Sequence, residues 1–178
     1  MPYLIAIDSD GTLRHSDGSI STRTKKIIEK LVIKGNIVTI CTARPRYHTL
    51  KISEEVGINR FLISSNGTEV YDNLNNEIIY SVYLSPKQCK KIYSDVENIG
   101  VRAIFVCDNI EYATGFIRND SQILLNENNI DNMLAKNIKQ IMIIGKDKEK
   151  IKKYKNYKKY NLCVKIKRVI VWRRMVLL

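Results

Sequence analysis

The sequence predicts an α/β protein: strands and helices alternate to build a parallel sheet over residues 1–83, and a second α+β unit follows over residues 84–178. Three observations predict it. Short apolar runs rich in β-branched residues alternate with stretches whose apolar residues recur at helical spacing. The first three such runs each end in a polar cluster, Asp8-Ser9-Asp10, Thr42-Ala43-Arg44 and Ser65-Asn66-Gly67. In a parallel sheet those ends share one edge, where ligands sit. A fresh helix entry, Ser85-Pro86, then opens the second unit.

Taken in order, the first run delivers Asp8 and Asp10 at its end. Gly11 allows a sharp turn with no Cβ in the way, and the Thr12 hydroxyl is placed to tie it. Ser21 and Thr22 suit the start of a helix bearing Ile27, Ile28, Leu31 and Val32, which Gly35 stops. Residues 37–41 (IVTIC) are too short for a helix and read as a strand. A second helix runs to about Val56 and ends at Gly57, and residues 61–64 form a third strand. Residues 70–71 and 78–80 can pair as a hairpin around residues 72–77. The helix entered at Ser85-Pro86 runs to about Glu97, with Gly100 beyond. Residues 101–107 and 141–144 read as strands, the latter flanked by helix-prone stretches, and residues 126–132 (NENNIDN) as a loop.

The chemistry starts with the two aspartates. Alternate residues of an extended segment point the same way, so Asp8 and Asp10 can aim at one point. Carboxylates held that close repel unless one keeps its proton or a cation lies between them. A hard divalent ion with oxygen ligands, most simply Mg²⁺, resolves the conflict and draws in a phosphate. An Asp-Gly turn accounts for the dipeptide alone; the whole string, followed by a helix, points to a site. Thr42, at the end of the second strand, can give its hydroxyl to a phosphate oxygen or serve as an ordinary helix cap. Asn66-Gly67 fits a hairpin turn as well as a binding loop.

The string Asp8-Ser9-Asp10-Gly11-Thr12 after an apolar strand resembles the first motif of the haloacid-dehalogenase (HAD) superfamily, mostly Mg²⁺-dependent phosphatases. Thr42-Ala43-Arg44 looks like the second motif, usually TGR in the Cof-type branch, with Ala43 in place of Gly. Residues 64–72 (SSNGTEVYD) resemble the stretch that precedes the cap domain in Cof-type proteins. The resemblance implies a partial Rossmann-like core over 1–83 and an α+β cap over 84–178. It implies Asp8 as nucleophile, Asp10 as general acid/base, and Mg²⁺ held by Asp8 and Asp10. Thr42, Ala43, Arg44 and Asn66 are implied to bind phosphate and substrate. The reaction so implied is hydrolysis of a small phosphate monoester, a phosphorylated metabolite, through an aspartyl-phosphate.

A complete member of that branch returns to its core with a phosphate-binding Lys and an acidic Gly-Asp-rich motif. Neither has a counterpart here: Gly145-Lys146-Asp147 is the one candidate, at a spacing that places it in the cap. The chain is therefore expected to stop inside or just after the cap and to be a weak catalyst or none. The run from about residue 164 to 178 (VKIKRVIVWRRMVLL) continues no helical or strand rhythm. A reading-frame change is expected there: with AGA codons for Arg173 and Arg174, reading on from Trp172 two nucleotides later gives Glu-Lys-Asn-Gly. That string resembles the turn before the missing Lys motif.

The formal net charge of +12 raises nucleic acid as a partner. Its location argues against that. Residues 146–174 hold 13 of the 30 Lys and Arg but 2 of the 18 Asp and Glu, so the remainder is nearly neutral. Tyr154, Tyr157 and Tyr160 interleave with those lysines, which suits a solvated Lys face with tyrosines packed beneath it. Cys41, Cys89, Cys107 and Cys163 form no CxxC pair and read as reduced thiols, and His15 and His48 are too isolated for a metal cluster. No apolar run approaches membrane-spanning length, and Asp8 and Asp10 interrupt any signal-peptide core; a cytoplasmic location is expected. Two rival readings remain, a non-catalytic truncated remnant and a basic nucleic-acid-binding module.

Overall fold

The computed structural model describes residues 2–145 and the backbone of one further strand, Leu162–Ile166. The Lys- and Tyr-bearing stretch 146–161, which includes Lys146 and Asp147, and the tail 167–178 lie outside the described residues. The chain divides into two compact units, Met1–Tyr83 and Leu84–Leu178.

The first unit contains β1 (Leu4–Asp8), α1 (Thr22–Ile33), β2 (Ile37–Cys41), α2 (Arg46–Val56), β3 (Phe61–Ser64), β4 (Glu69–Asp72) and β5 (Glu77–Ser81). Its sheet runs β1-β2-β3-β4-β5. The first three strands are parallel and the last two antiparallel. Helix α1 starts where the Ser21 hydroxyl accepts the Thr24 amide at 3.1 Å. Helix α2 ends on Gly57 at φ 72°, a left-handed conformation that glycine adopts without strain. Val38, Ile40 and Leu62 are fully buried between the sheet and the helices, with Ile28, Ile52 and Val56 packed on them. Each such side chain contributes about 1.5–3 kcal/mol relative to exposure. Ile27, which helical spacing puts on the apolar stripe, is exposed; Ile28, Leu31 and Val32 turn inward instead. The turn at 65–68 joins β3 to β4 antiparallel, Ser64 opposite Glu69, so Asn66-Gly67 does sit in a hairpin. A second hairpin pairs β4 with β5, as the 70–71 and 78–80 pattern indicates.

The second unit contains α3 (Pro86–Ile99), β6 (Arg102–Val106), β7 (Glu111–Ala113), β8 (Gln122–Leu124), α4 (Ile130–Leu134), β9 (Gln140–Gly145) and β10 (Leu162–Ile166). Ser85 and Gln88 form a reciprocal capping box with Pro86 in the first turn. The sheet order is β10-β9-β6-β7-β8. Cys89, Ile92 and Val96 of α3 pack with Ala103, Phe105, Met133, Ile141 and Ile143 in one core. Two short strands, β7 and β8, and the start of α4 within the 126–132 stretch depart from the sequence expectation. So does β10, which carries residues 164–166 of the run expected to continue no strand rhythm into a parallel pairing with β9. No helix among the described residues is long and apolar enough to cross a membrane.

Candidate functional site

The parallel part of the first sheet brings the three polar clusters to one edge. Asp8 closes β1 directly opposite Cys41 of β2. Cys41 in turn lies opposite Ile63, one residue from the end of β3. Burial and the negative charge on Asp8 both push the Cys41 thiol up, keeping it protonated and inert beside that carboxylate.

After Asp8 the chain turns through Gly11 at φ 80°. The turn is tied by backbone bonds, Leu13 N–H to Asp8 O at 3.1 Å and Arg14 N–H to Ser9 O at 2.9 Å. Thr12, the residue expected to tie it, is exposed. Asp8 and Asp10 are exposed while Ser9 between them is fully buried, so the two acids share the open side of the turn.

The loop after β2 is built around Thr42, which is buried. Its hydroxyl accepts the Arg44 amide at 3.2 Å, which leaves its own proton to donate. Thr42 is not the helix cap that the sequence allowed, since Pro45 stands at the start of α2 and the Thr42 hydroxyl ties the loop instead; its reading as a phosphate donor is compatible with this geometry. Arg44 extends to Asp10: Nε lies 3.0 Å from Oδ2, and Nη2 lies 2.7 Å from Oδ1. Ala43 between them is exposed.

The third cluster is stitched to the second. Ser65 N–H donates to Arg44 O at 2.9 Å, and Asn66 N–H to Thr42 O at 3.1 Å. Ser65, Asn66 and Gly67 all adopt positive φ, 50°, 60° and 84°, so two non-glycine residues carry backbone strain here. Asn66 is exposed at the tip of this turn. All the sequence-derived site residues thus lie at the end of β1 or on the loops following β1, β2 and β3.

As a cation site, this edge offers the exposed Asp8 carboxylate and the Asp10 carbonyl. Oxygen donors open to solvent suit Mg²⁺, which binds through one or two carboxylates and keeps several waters. Among the described residues no three Asp, Glu, His or Cys gather into a fuller cage. Sequence reasoning missed two features. One is the Arg44–Asp10 contact, made across 34 positions. The other is Glu69, fully buried and bonded to Arg46 and Ser64; a Glu opening the strand directly after the Asn-Gly turn, followed by Val70, was the available signal.

Comparison with known proteins bears on the family and the fold. The model of the haloacid dehalogenase-like hydrolase family matches residues 5–176. A Buchnera aphidicola (subsp. Acyrthosiphon pisum) protein, provisionally named a phosphatase, is 40% identical over 103 residues, covering 56% of this chain and 38% of that protein. The 5-amino-6-(5-phospho-D-ribitylamino)uracil phosphatase of Bacillus subtilis is 39% identical over 70 residues, covering 39% of this chain and 28% of that enzyme. A crystal structure from Thermotoga maritima superposes with a TM-score of 0.71 at 19% identity, covering 89% of this chain and 62% of that one. At that identity the likeness shows the fold alone. The chain spans less than half the length of these two curated relatives.

Proposed function

Since the chain belongs to the haloacid dehalogenase-like hydrolase family, we propose that this edge hydrolyses a small phosphate monoester by way of an aspartyl-phosphate on Asp8. The observation that carries the reading is the joining of Asp8, an oriented Asp10 and a buried Thr42 hydroxyl at one sheet edge. The relative that acts on a ribityl phosphate supports a small phosphorylated metabolite as substrate.

In the first step the Asp8 carboxylate attacks phosphorus in line, and the bond from phosphorus to the leaving oxygen breaks as Asp10 protonates that oxygen. In the second step water attacks the same phosphorus. Asp10 takes its proton, and the bond to Asp8 breaks to release inorganic phosphate. The Thr42 hydroxyl and the exposed backbone at Ala43 hold phosphoryl oxygens, and Asn66 faces the substrate side. Asp8 and the Asp10 carbonyl would hold Mg²⁺, which when bound neutralises charge on the transferring group. The second unit is, in this reading, a cap domain.

The test is turnover of an aryl phosphate and of small sugar phosphates by the purified 178-residue chain, with and without Mg²⁺. Mg²⁺-dependent phosphate release that disappears in Asp8→Asn supports the reading. A well-folded chain with no turnover supports the non-catalytic alternative.

A further inference from the structure

Glu69 sits in β4 with no solvent exposure, an uncommon place for a carboxylate. Its Oε1 accepts the Ser64 hydroxyl at 3.1 Å and Arg46 Nε at 3.0 Å. The Arg46 guanidinium also lies over the Tyr71 ring, 5.1 Å from its centre. Ser64 immediately precedes the left-handed stretch 65–67, and Arg46 is the first residue of α2, directly after the loop 42–45. One carboxylate oxygen therefore ties together the roots of two loops that the sequence keeps about twenty residues apart.

Net stability does not explain the arrangement. A buried ion pair contributes little more than an apolar pair of the same volume, and often less. An apolar pair, however, cannot fix direction. The two loops also meet through backbone bonds from Ser65 and Asn66 to the carbonyls of Arg44 and Thr42. Those donors belong to residues at φ 50° and 60°, conformations that persist only where the surroundings over-determine them.

Resting on the phosphatase reading above, we propose that Glu69 is a positioning residue. Together with Arg46 it sets the spacing between the phosphate-side loop 42–45 and the substrate-side loop 65–67. It touches neither substrate nor reacting atoms. Its effect passes through Ser64 into the Ser65 and Asn66 amides, and through Arg46 into the start of α2.

The experiment compares Glu69→Gln with the paired substitution Glu69→Leu/Arg46→Met, which keeps volume and removes the unpaired charge that a single change would bury. Amide hydrogen exchange is read at Ser65 and Asn66, with Ile40 and Leu62 as core references, alongside inhibition by orthovanadate. The paired variant should unfold as cooperatively as wild type with core exchange unchanged. Its Ser65 and Asn66 amides should exchange about tenfold faster or more, and orthovanadate should bind about tenfold more weakly or worse, as expected when site groups shift by a fraction of an ångström. Glu69→Gln, which keeps the shape and the Ser64 bond, should fall between and identify the charge as the working part. Wild-type protection at Ser65 and Asn66 in either folded variant overturns the proposal. A wild-type chain that turns over no phosphate ester counts against the phosphatase reading alone, because the exchange readout still decides the role of Glu69.

Discussion

The Arg44 guanidinium grips the Asp10 carboxylate in a fork, Nε to Oδ2 at 3.0 Å and Nη2 to Oδ1 at 2.7 Å. Parallel N–H contacts of this kind fix the plane of a carboxylate as well as its place. The residue proposed to shuttle the proton is thus oriented by the loop proposed to hold the phosphate, and the two loops behave as one device.

That coupling makes Arg44→Gln informative. The pair is partly exposed, Asp10 more than half so, and its removal should change stability by roughly 0–1 kcal/mol. Catalysis should suffer selectively. An alkyl phosphate, whose leaving oxygen needs a proton, should lose about tenfold or more in kcat/KM, within the range that acid catalysis supplies. An activated aryl phosphate should lose far less. Equal losses on both substrates would assign Arg44 to phosphate binding instead.

Asp8→Asn should abolish Mg²⁺-dependent hydrolysis of any substrate. An amide is a poor nucleophile and a weaker ligand for a hard cation, and Asp8 closes the strand around which the site is built. Steady-state release of inorganic phosphate measures it, and retained turnover removes Asp8 from the nucleophile role.

Thr42→Val deletes a hydroxyl at nearly constant shape. Binding of orthovanadate should weaken by roughly 1.5–3 kcal/mol, the worth of one hydrogen bond to a charged oxygen. The lost acceptor for the Arg44 amide adds a small loss of fold stability. Unchanged inhibition would leave Thr42 as a loop cap only.

Much of this site was legible before the fold. Three short parallel strands announce themselves, because each is a compact apolar run ending abruptly in polar residues. Strands β7 and β8 did not, since three-residue segments such as Glu111–Ala113 are too brief to show alternation and are held by neighbours. Arg44 reads as a phosphate ligand from its place beside Thr42 and Ala43, and nothing adjacent in sequence points to its contact with Asp10. Glu69 was passed over because a charged residue in a strand ordinarily faces water. Contacts between loops depend on the sheet that assembles them, and no local pattern encodes that.

Helix α3 offers a test of local chemistry. Ser85→Ala removes the hydroxyl that accepts the Gln88 amide at 3.3 Å and dismantles the capping box. The cost should be about 1 kcal/mol, read as a lower denaturant midpoint with an unchanged slope. No shift in the midpoint would mean that Pro86 and the packing of α3 alone set the helix start.

The thiols make the fold sensitive to alkaline pH. Burial pushes Cys89 up to about 11 from an ordinary 9.0, and burial raises Cys41 and Cys107 in the same direction. Well below pH 9 these thiols are protonated in both folded and unfolded chains and stability is unaffected. Between about pH 9 and 11 only the unfolded chain releases the proton from Cys89, so stability should fall, by at most ~1.4 kcal/mol per pH unit for that one group. Denaturation midpoints measured from pH 8 to 11 check the slope. A flat profile would show that the thiols ionise alike in both states.

The left-handed run Ser65-Asn66-Gly67 has a consequence for how this protein can change over generations. Glycine at position 65 or 66 would relieve the backbone, so selection for heat resistance should favour Ser65→Gly and Asn66→Gly early. Asn66→Gly would also erase the amide group proposed to face substrate. Adaptation to temperature and retention of specificity therefore compete for one codon, and lineages in hot habitats should reach stability by routes that leave position 66 alone.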